Sequence, residues 1–600
     1  MHRSYSRIDW FLLNPGLVAT YNMLLLLLSF CTLLFEGFEA NALTYDHAAT
    51  VECLSNPHKA QYGGGIIINP ELNEGLKGWS TFGNAKIKER VSGGNKFIVA
   101  HTRNHPHDSI SQKLFLEKDK LYTFSAWLQV SDGNVAVNAV FNTTTGFKHA
   151  GTVTAKTNCW SMLKAGLTVN ASGPAELYFE SKNASVEIWV DSISLQPFTQ
   201  EQWKSHQVES IEKTRKRKVR IHAVDEQGNP ISNATVSFEQ KKLSFPFGSA
   251  INKNILTNTA YRNWFTSRPF TVTVFENEMK WYANEPSPGQ ETYADADALL
   301  QFAKQHGIRV RGHTVLWEDP QMIQGWVSSL SPSDLAKAVD KRINSVMSKY
   351  RGQVIGWDVV NENLHHSFFE DKLGTTASAR FYRRAQTIDG TCTLFMNEYN
   401  TIEDSRDWSS KPDKYLQKLK DIRGFPGNGN LRLGIGLQGH FSYPPDLSYV
   451  RASIDTLAST GLSIWITELD VKNTVGDQQT QARYLEQILR ELHAHPKVNG
   501  IMLWTAWSPG GCYRMCLTDN NFNNLATGNV VDKLMREWGS RPMVGTTDAD
   551  GYFEASLFLG DYEVKISHPT LPSSYLSQRF EVSSQDTFLE QPTLVVQVSA

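Results

Sequence analysis

Apolar and polar positions alternate through the first third of the chain. The runs Tyr122–Val130, Val135–Phe141, Ala175–Glu180 and Val186–Leu195 keep a period of two, with Gly, Asn and Ser clustered between them. That period places successive side chains on opposite faces of a strand. Several short strands with regular turns over residues 62–198 predict an all-β sandwich. From Phe247 to Trp507 the pattern changes. Short apolar runs now end in polar or charged residues: Phe247–Ile251, Thr271–Glu276, Val310–Leu316, Val354–Glu362, Thr393–Asn397, Leu433–His440, Ser463–Asp470 and Gly500–Trp507. Helical stretches lie between them, including Asp334–Lys349, Ser378–Thr387, Leu447–Ser459 and Gln479–His493. Strands alternating with helices on this scale predict a (β/α)8 barrel, a TIM barrel, whose active site lies at the C-terminal strand ends.

Strand patterns recur on either side of the barrel. Val219–Phe238 surrounds an Asp-Glu-x-Gly turn, and Val544–Ile566 surrounds Asp-Gly and Leu-Gly-Asp turns. Joined, the pieces resemble the small β-sandwich of carboxypeptidase-regulatory-like domains. The expectation is one sandwich split by the inserted barrel; two unrelated hairpins are the alternative. The fold class is therefore multidomain, a barrel with an N-terminal jelly-roll sandwich and a small flanking β domain. The expected boundaries are a signal peptide at 1–42, an arm at 43–65, the sandwich at 66–198, a linker at 199–218, small-domain pieces at 219–242 and 541–600, and the barrel at 243–540. The basic run Arg215-Lys216-Arg217-Lys218 reads as part of a solvated linker.

The 600 residues exceed what one core organises. A formal net charge of −2 excludes the basic excess that nucleic-acid binding needs. The apolar run Met23–Phe35 follows His2, Arg3 and Arg7 and precedes Ala40-Asn41-Ala42, a small-x-small cleavage site. It is short for a membrane span and reads as a secretion signal, with an uncleaved anchor as the alternative. Four N-x-S/T sequons, at Asn142, Asn170, Asn183 and Asn233, fit a secreted, glycosylated chain in the extracellular space or cell wall. With Cys31 in the signal, Cys53–Cys159 and Cys512–Cys516 are the expected bridges, leaving Cys392 as a buried thiol.

Two of the strand patterns carry the chemistry. Trp357–Glu362 and Ile464–Asp470 are buried runs ending in carboxylates, Glu362 in one and Glu468 in the other. An ionised group at such a place costs free energy unless it is paired. Two carboxylates at one barrel mouth suit glycoside hydrolysis, where one protonates the leaving oxygen and the other attacks the anomeric carbon.

The ordered motifs PFGSAI, FENEMKW, RGHTVLW, WDVVNE, FMNEYN, GLQGHF, ITELD and MLWTAW, one per strand, resemble glycoside hydrolase family 10, the endo-β-1,4-xylanases. The resemblance implies retaining hydrolysis of xylan with neither cofactor nor metal. It makes Glu362 the acid/base, Glu468 the nucleophile and Asn361 a binder of the sugar 2-hydroxyl. His440 would join Glu468 to Asp470. Glu276, Asn277, Lys280, His313, Trp317 and Gln438 match glycone-side binding positions, and Trp504 would floor the −1 subsite. Asn397 and Glu398 read equally as support for the site or as barrel packing. Two positions depart from the family. Glu318 stands where many members have His, which would add negative charge to the cleft. In the eighth loop, Tyr513 or Trp507 would stand in for a second tryptophan.

Residues 66–198 resemble carbohydrate-binding module family 22 through NPELNEGLKGWSTFG and VEIWVDSISL. Arg103, Tyr178 and Glu180 would lie near its xylan groove. His105-Pro106-His107 stands where some members carry a stacking tryptophan. The partner implied is xylan or a related β-1,4-glycan, with no nucleic acid, no stable membrane partner after signal cleavage, and a monomeric chain. A xylan transglycosylase and a non-catalytic wall-binding protein are the alternative functions.

Overall fold

A computed structural model describes residues 43–474, 476–569, 571, 575–584 and 593–599. The apolar run at 23–35 and its cleavage site lie outside them. Among the described residues, no helix is long and apolar enough to cross a membrane.

The N-terminal module is a sandwich of two five-stranded sheets. One runs β1 (Ser80–Phe82), β4 (Ser109–Leu116), β9 (Gly173–Glu180), β6 (Asn134–Thr143) and β7 (Gly146–Lys156). The other runs β2 (Lys86–Ser92), β3 (Asn95–His101), β10 (Ile188–Phe198), β5 (Leu121–Val130) and β8 (Ser161–Thr168). Period-two patterning decides the faces: Leu177 and Phe179 point into the core with Ile98, Phe141 and Val190, while Tyr178 and Glu180 face away. Cys53–Cys159 ties the N-terminal arm to this module.

Residues expected as a linker instead form helix α1 (Gln200–Thr214), closed at its start by a Thr199/Gln202 capping box. The basic run is not a solvated stretch. Arg215 and Arg217 are buried, and β11 (Lys216–Val224) begins within it. Arg215 donates to the carbonyls of His493 (3.0 Å), His495 (2.7 Å) and Val498 (2.8 Å), which span the end of one helix and the start of the next strand.

β11 pairs antiparallel with β24 (Tyr552–Phe558) and parallel with β27 (Leu594–Ser599). β12 (Thr235–Leu243) pairs with β23 (Met543–Thr546) and β25 (Gly560–Ser567), and β25 with β26 (Leu576–Val582). Residues from both sides of the barrel thus share these sheets and one core, including Val219, Phe238, Val564 and Val598.

The barrel strands are β13 (Phe247–Ser249), β14 (Val272–Val274), the third strand in two pieces β15 (Arg309–Arg311) and β16 (Leu316–Trp317), β17 (Gly356–Asn361), β18 (Thr393–Glu398), β19 (Leu433–Leu437), β21 (Ser463–Val471) and β22 (Val498–Leu503). A short strand, β20 (His440–Phe441), pairs beside β21. All run parallel, and a Gly312–Trp357 bridge joins the third strand to the fourth. Helices α2 (Pro332–Lys349), α3 (Phe368–Leu373), α4 (Ala377–Ile388), α5 (Pro412–Gly424), α6 (Leu447–Ala458) and α7 (Gln478–Ala494) pack around them.

The module docks on the barrel by polar contacts as well as packing. Lys164 Nζ lies 3.2 Å from Asp455 of α6, which also meets His47 (2.8 Å) and His495 (3.1 Å). Gly166 of β8 lies so close to Ser448 that an added Cβ would sit 2.3 Å from its carbonyl carbon.

Candidate active site

Glu362 follows directly on β17 with φ of 60°, a conformation that is uncommon outside glycine and accumulates at functional sites. Its amide donates to the Asn397 carbonyl (2.9 Å), and its carbonyl accepts from His366 N–H (3.1 Å). These bonds turn the carboxylate into the barrel mouth. There Oε2 accepts from Trp317 Nε1 (2.7 Å) and Oε1 from Gln438 Nε2 (3.1 Å).

Glu468 enters from β21. Its Oε1 accepts from Asn397 Nδ2 (2.7 Å), its Oε2 lies 3.4 Å from His440 Nε2, and His313 Nδ1 is 3.8 Å from Oε1. Its own amide donates to the Gln438 carbonyl (2.9 Å). Gln438 therefore touches both glutamates, one through its side chain and the other through its backbone. His440 Nδ1 lies 3.0 Å from Asp470 Oδ2, so the ring stands between the two carboxylates of β21. Asn361 accepts from Asn397 Nδ2 (2.8 Å).

The two glutamates are pushed in opposite directions. Burial raises the Glu362 carboxyl, and the Glu468 charge adds to this against the hydrogen bonds from Trp317 and Gln438. Burial would raise Glu468 too, but His313, His440 and Lys280 outweigh it and hold the group near 2. Burial would lower His440, yet Asp470 and Glu468 carry it to about 10, so its charge persists. One carboxyl is kept ready to hold a proton and the other is kept ionised, which is how two like groups take up acid and nucleophile roles.

Of the other expected site residues, Lys280 lies 4.5 Å from the Trp317 ring and 5.5 Å from the Trp504 ring, its pKa lowered by burial against four surrounding carboxylates. Glu276 accepts from Asn252 Nδ2 (3.2 Å), and burial lifts it to about 7. Asn277 is exposed and accepts from Tyr282 (2.6 Å). His313 contacts Asp358 (2.9 Å) and stands edge-on to Trp504 at 5.5 Å.

Three expectations are corrected. Glu318 adds no charge to the cleft. It is fully buried, accepts from Asn363 Nδ2 (3.1 Å) and Phe369 N–H (2.8 Å), and burial lifts it to about 8. Trp507 cannot stand in for a cleft tryptophan, because it is packed against Tyr261 and Phe522 and bonded to Asn520. Tyr513 is the exposed ring of that loop, at 78%, with its centroid 6.3 Å from His440. The bridge Cys512–Cys516 closes this loop, and Cys392 is a buried free thiol. Arg103 is not on a sugar groove: it is buried, and its guanidinium donates to the carbonyls of Pro106, Asp108, Ser181, Asn183 and Val186. A cation with that many carbonyl partners is a clamp for the loops around it.

Tyr178 and Glu180 do lie on the outward face of β9, Tyr178 stacked on Phe82 (3.9 Å) and Glu180 half-buried beside Lys411. Of the sequon asparagines, Asn170, Asn183 and Asn233 are exposed and Asn142 is half-buried.

Sequence patterning left several supporting residues undecided or unseen. Asn397 binds both Asn361 and Glu468. Glu398 accepts from Leu364 N–H (2.7 Å) and from His365 (2.6 Å), which also meets Asp407 (2.9 Å). Glu403 accepts from the Gly439 (2.8 Å) and His440 (2.9 Å) amides, and Arg514 donates to Asp470 (2.6 Å). FMNEYN placed the first two at a strand end. Nothing local marks Glu403 or Arg514, whose partners lie on other strands.

Comparison with known proteins agrees with this architecture. Residues 237–526 match glycosyl hydrolase family 10, and residues 64–185 match a carbohydrate binding domain. The chain is 39% identical over 561 residues to endo-1,4-beta-xylanase 5-like of Arabidopsis thaliana, covering 92% of this chain and 94% of that one. It is 39% identical over 573 residues to endo-1,4-beta-xylanase 5 and 36% over 595 residues to endo-1,4-beta-xylanase 4 of the same plant, covering 94% and 96% of this chain and 96% and 98% of theirs. With two opposed glutamates at the mouth of a parallel barrel and relatives of this identity along nearly its whole length, the chain belongs to glycosyl hydrolase family 10.

Proposed function

We propose that this protein is a retaining endo-1,4-β-xylanase. The opposed electrostatics of Glu362 and Glu468 carry the reading. Glu468, ionised, attacks the anomeric carbon while Glu362 gives its proton to the departing glycosidic oxygen, leaving a glycosyl ester on Glu468. Glu362, now a carboxylate, takes a proton from water as the water oxygen attacks the same carbon and Glu468 leaves. Asn361, held by Asn397, meets the sugar 2-hydroxyl. Glu276, Asn277, Lys280, His313, Trp317 and Gln438 bind the glycone side, and Trp504 forms its floor.

The reading extends to the rest of the chain. Residues 66–198 bind glycan, residues 243–540 cut it, and the pieces at 219–242 and 541–600 form one supporting sandwich. Two disulfides and three exposed sequons support a secreted, glycosylated chain, and the same reading makes it a monomer acting on cell-wall xylan.

Hydrolysis of glucuronoxylan, arabinoxylan and soluble cellulose by the parent, Glu468→Ala and Glu362→Ala tests this. Xylan cleavage by the parent should vanish with Glu468→Ala. Glu362→Ala should slow unactivated glycosides by roughly 10²–10⁴-fold and activated aryl glycosides far less. Parent-level cleavage by Glu468→Ala would refute the nucleophile assignment, and equal losses on both substrate types would refute the acid.

A further inference from the structure

The acid/base glutamate belongs to a second group of side chains besides the one that carries the reaction. Asp319, Glu362 and His366, all partly buried, bring one ligand atom each within 4.8 Å of one another. Two loops make this trio. The third strand ends at Trp317, whose indole holds Glu362, and the chain then turns at Asp319, which accepts from Gln321 N–H (2.9 Å) and so caps the short 3₁₀ turn Pro320–Met322. After β17, the bond from His366 N–H to the Glu362 carbonyl (3.1 Å) closes one turn. Side chains four apart across such a turn are neighbours.

The trio has spare lone pairs and no cation of its own. Among the described residues, no basic side chain lies within 4.0 Å of either carboxylate, and the His366 ring makes no hydrogen bond. The imidazole is thus too far from the carboxylates to bond them directly, yet near enough for all three groups to meet at one ion. The hydrogen bonds to Glu362 from Trp317 and Gln438 use two of the roughly four lone-pair sites that a carboxylate offers. The other trio of this kind among the described residues, His47, Asp455 and His495, differs in this respect: Lys164 Nζ already stands 3.2 Å from its Asp455.

We propose that Asp319, Glu362 and His366 form an inhibitory site for a borderline divalent metal ion such as Zn²⁺, which switches the enzyme off by occupying its acid/base. The inference rests on the xylanase reading for its effect, but not for the site. One imidazole and two carboxylates suit zinc, with a fourth position left for water. Ca²⁺ and Mg²⁺ favour all-oxygen sets of six or more ligands. Around a tetrahedral zinc the ligand atoms stand about 3.4 Å apart, so the three side chains close on it by shifts of about 1 Å. Binding releases the Glu362 proton to solvent and leaves the carboxylate on the metal. The departing sugar then has no proton donor. Such an ion is an inhibitor and takes no part in the reaction.

The test reads binding and rate separately, on the full chain. Calorimetric titration with Zn²⁺ should show one more ion bound by the parent than by His366→Ala or Asp319→Asn. Asp319→Asn keeps an oxygen for Gln321 N–H, so the loop retains its cap while the ligand charge is lost. Initial rates of the parent on soluble xylan should fall with rising Zn²⁺, recover with EDTA, and stay unchanged with equal Ca²⁺ or Mg²⁺. In both variants the half-inhibitory Zn²⁺ concentration should rise by about ten-fold or more, the loss that removing even an outer partner of a metal ligand brings. Equal zinc binding by parent and both variants, or variants inhibited as strongly as the parent, overturns the site. Zinc bound there without loss of rate overturns the inhibition. A parent that cleaves no xylan overturns the xylanase reading, and the calorimetric comparison still decides the site.

Discussion

At the residue scale, position outweighs chemical type. Glu318, Glu362 and Glu468 are all glutamates at barrel strand ends, yet their surroundings push the first two toward the protonated form and hold the third ionised. Glu318 has only neutral hydrogen-bond donors around its carboxyl, and burial lifts it to about 8. Its unfolded value is about 4.3. The folded state therefore binds the extra proton between those limits. Stability from this group is full below about pH 4.3 and is lost as pH rises through about 8. Glu318→Gln should remove that loss. Gln can still accept from Phe369 N–H, and a turned Asn363 amide would let it donate to Asn363 Oδ1, a buried atom with no hydrogen-bond partner. Melting curves of parent and variant from pH 4 to pH 8 should diverge steadily, the variant gaining on the order of 1.4 kcal/mol per unit at most. Parallel curves would mean that Glu318 is ionised in the fold.

At the element scale, α1 shows what patterning misses. The segment has few apolar residues and reads as a polar connection. Its stability as a helix comes from the capping box and from contacts remote in sequence: Trp203 Nε1 and Gln207 Nε2 both donate to Glu491 Oε2 of α7, at 2.7 and 2.8 Å. Tertiary partners of this kind override a weak local signal. Thr199→Ala removes the side-chain cap and should cost about 1 kcal/mol of stability by denaturant unfolding. Activity at 25 °C should be unchanged, since the helix lies far from the glutamates in the chain's architecture. A neutral substitution would show that contacts with α7 alone hold the helix. The barrel strands behave differently. Most are buried along nearly their whole length and close on polar residues, so their places were readable from sequence.

At the scale of the whole molecule, the module is fastened to the barrel by a buried charge cluster. Lys164 of the module meets Asp455 of α6, with His47 and His495 on the same carboxylate, and burial of Asp455 is outweighed by the Lys164 charge and the hydrogen bonds from the two rings, which hold it well below the usual carboxylate range. Removing the Asp455 charge leaves the Lys164 ammonium buried without that counter-charge. Asp455→Asn should cost roughly 3–5 kcal/mol. Calorimetry should show one unfolding transition in the parent splitting into separate module and barrel transitions in the variant. A single unshifted transition would show that packing at Gly166 and Ser448 suffices.

The sequence by itself determined the periodicities, and through them the sandwich, the barrel, the strand-end glutamates and the halves of the small β domain. Those features depend on local alternation, and a strand end is a local event. Arg103, Glu318 and the 199–218 segment went the other way, because burial and hydrogen-bond partners set their roles and those come from distant parts of the chain. The same holds for Asn397 between Asn361 and Glu468 and for Arg514 on Asp470. Proximity across elements follows from how they dock, and only the tertiary structure decided that.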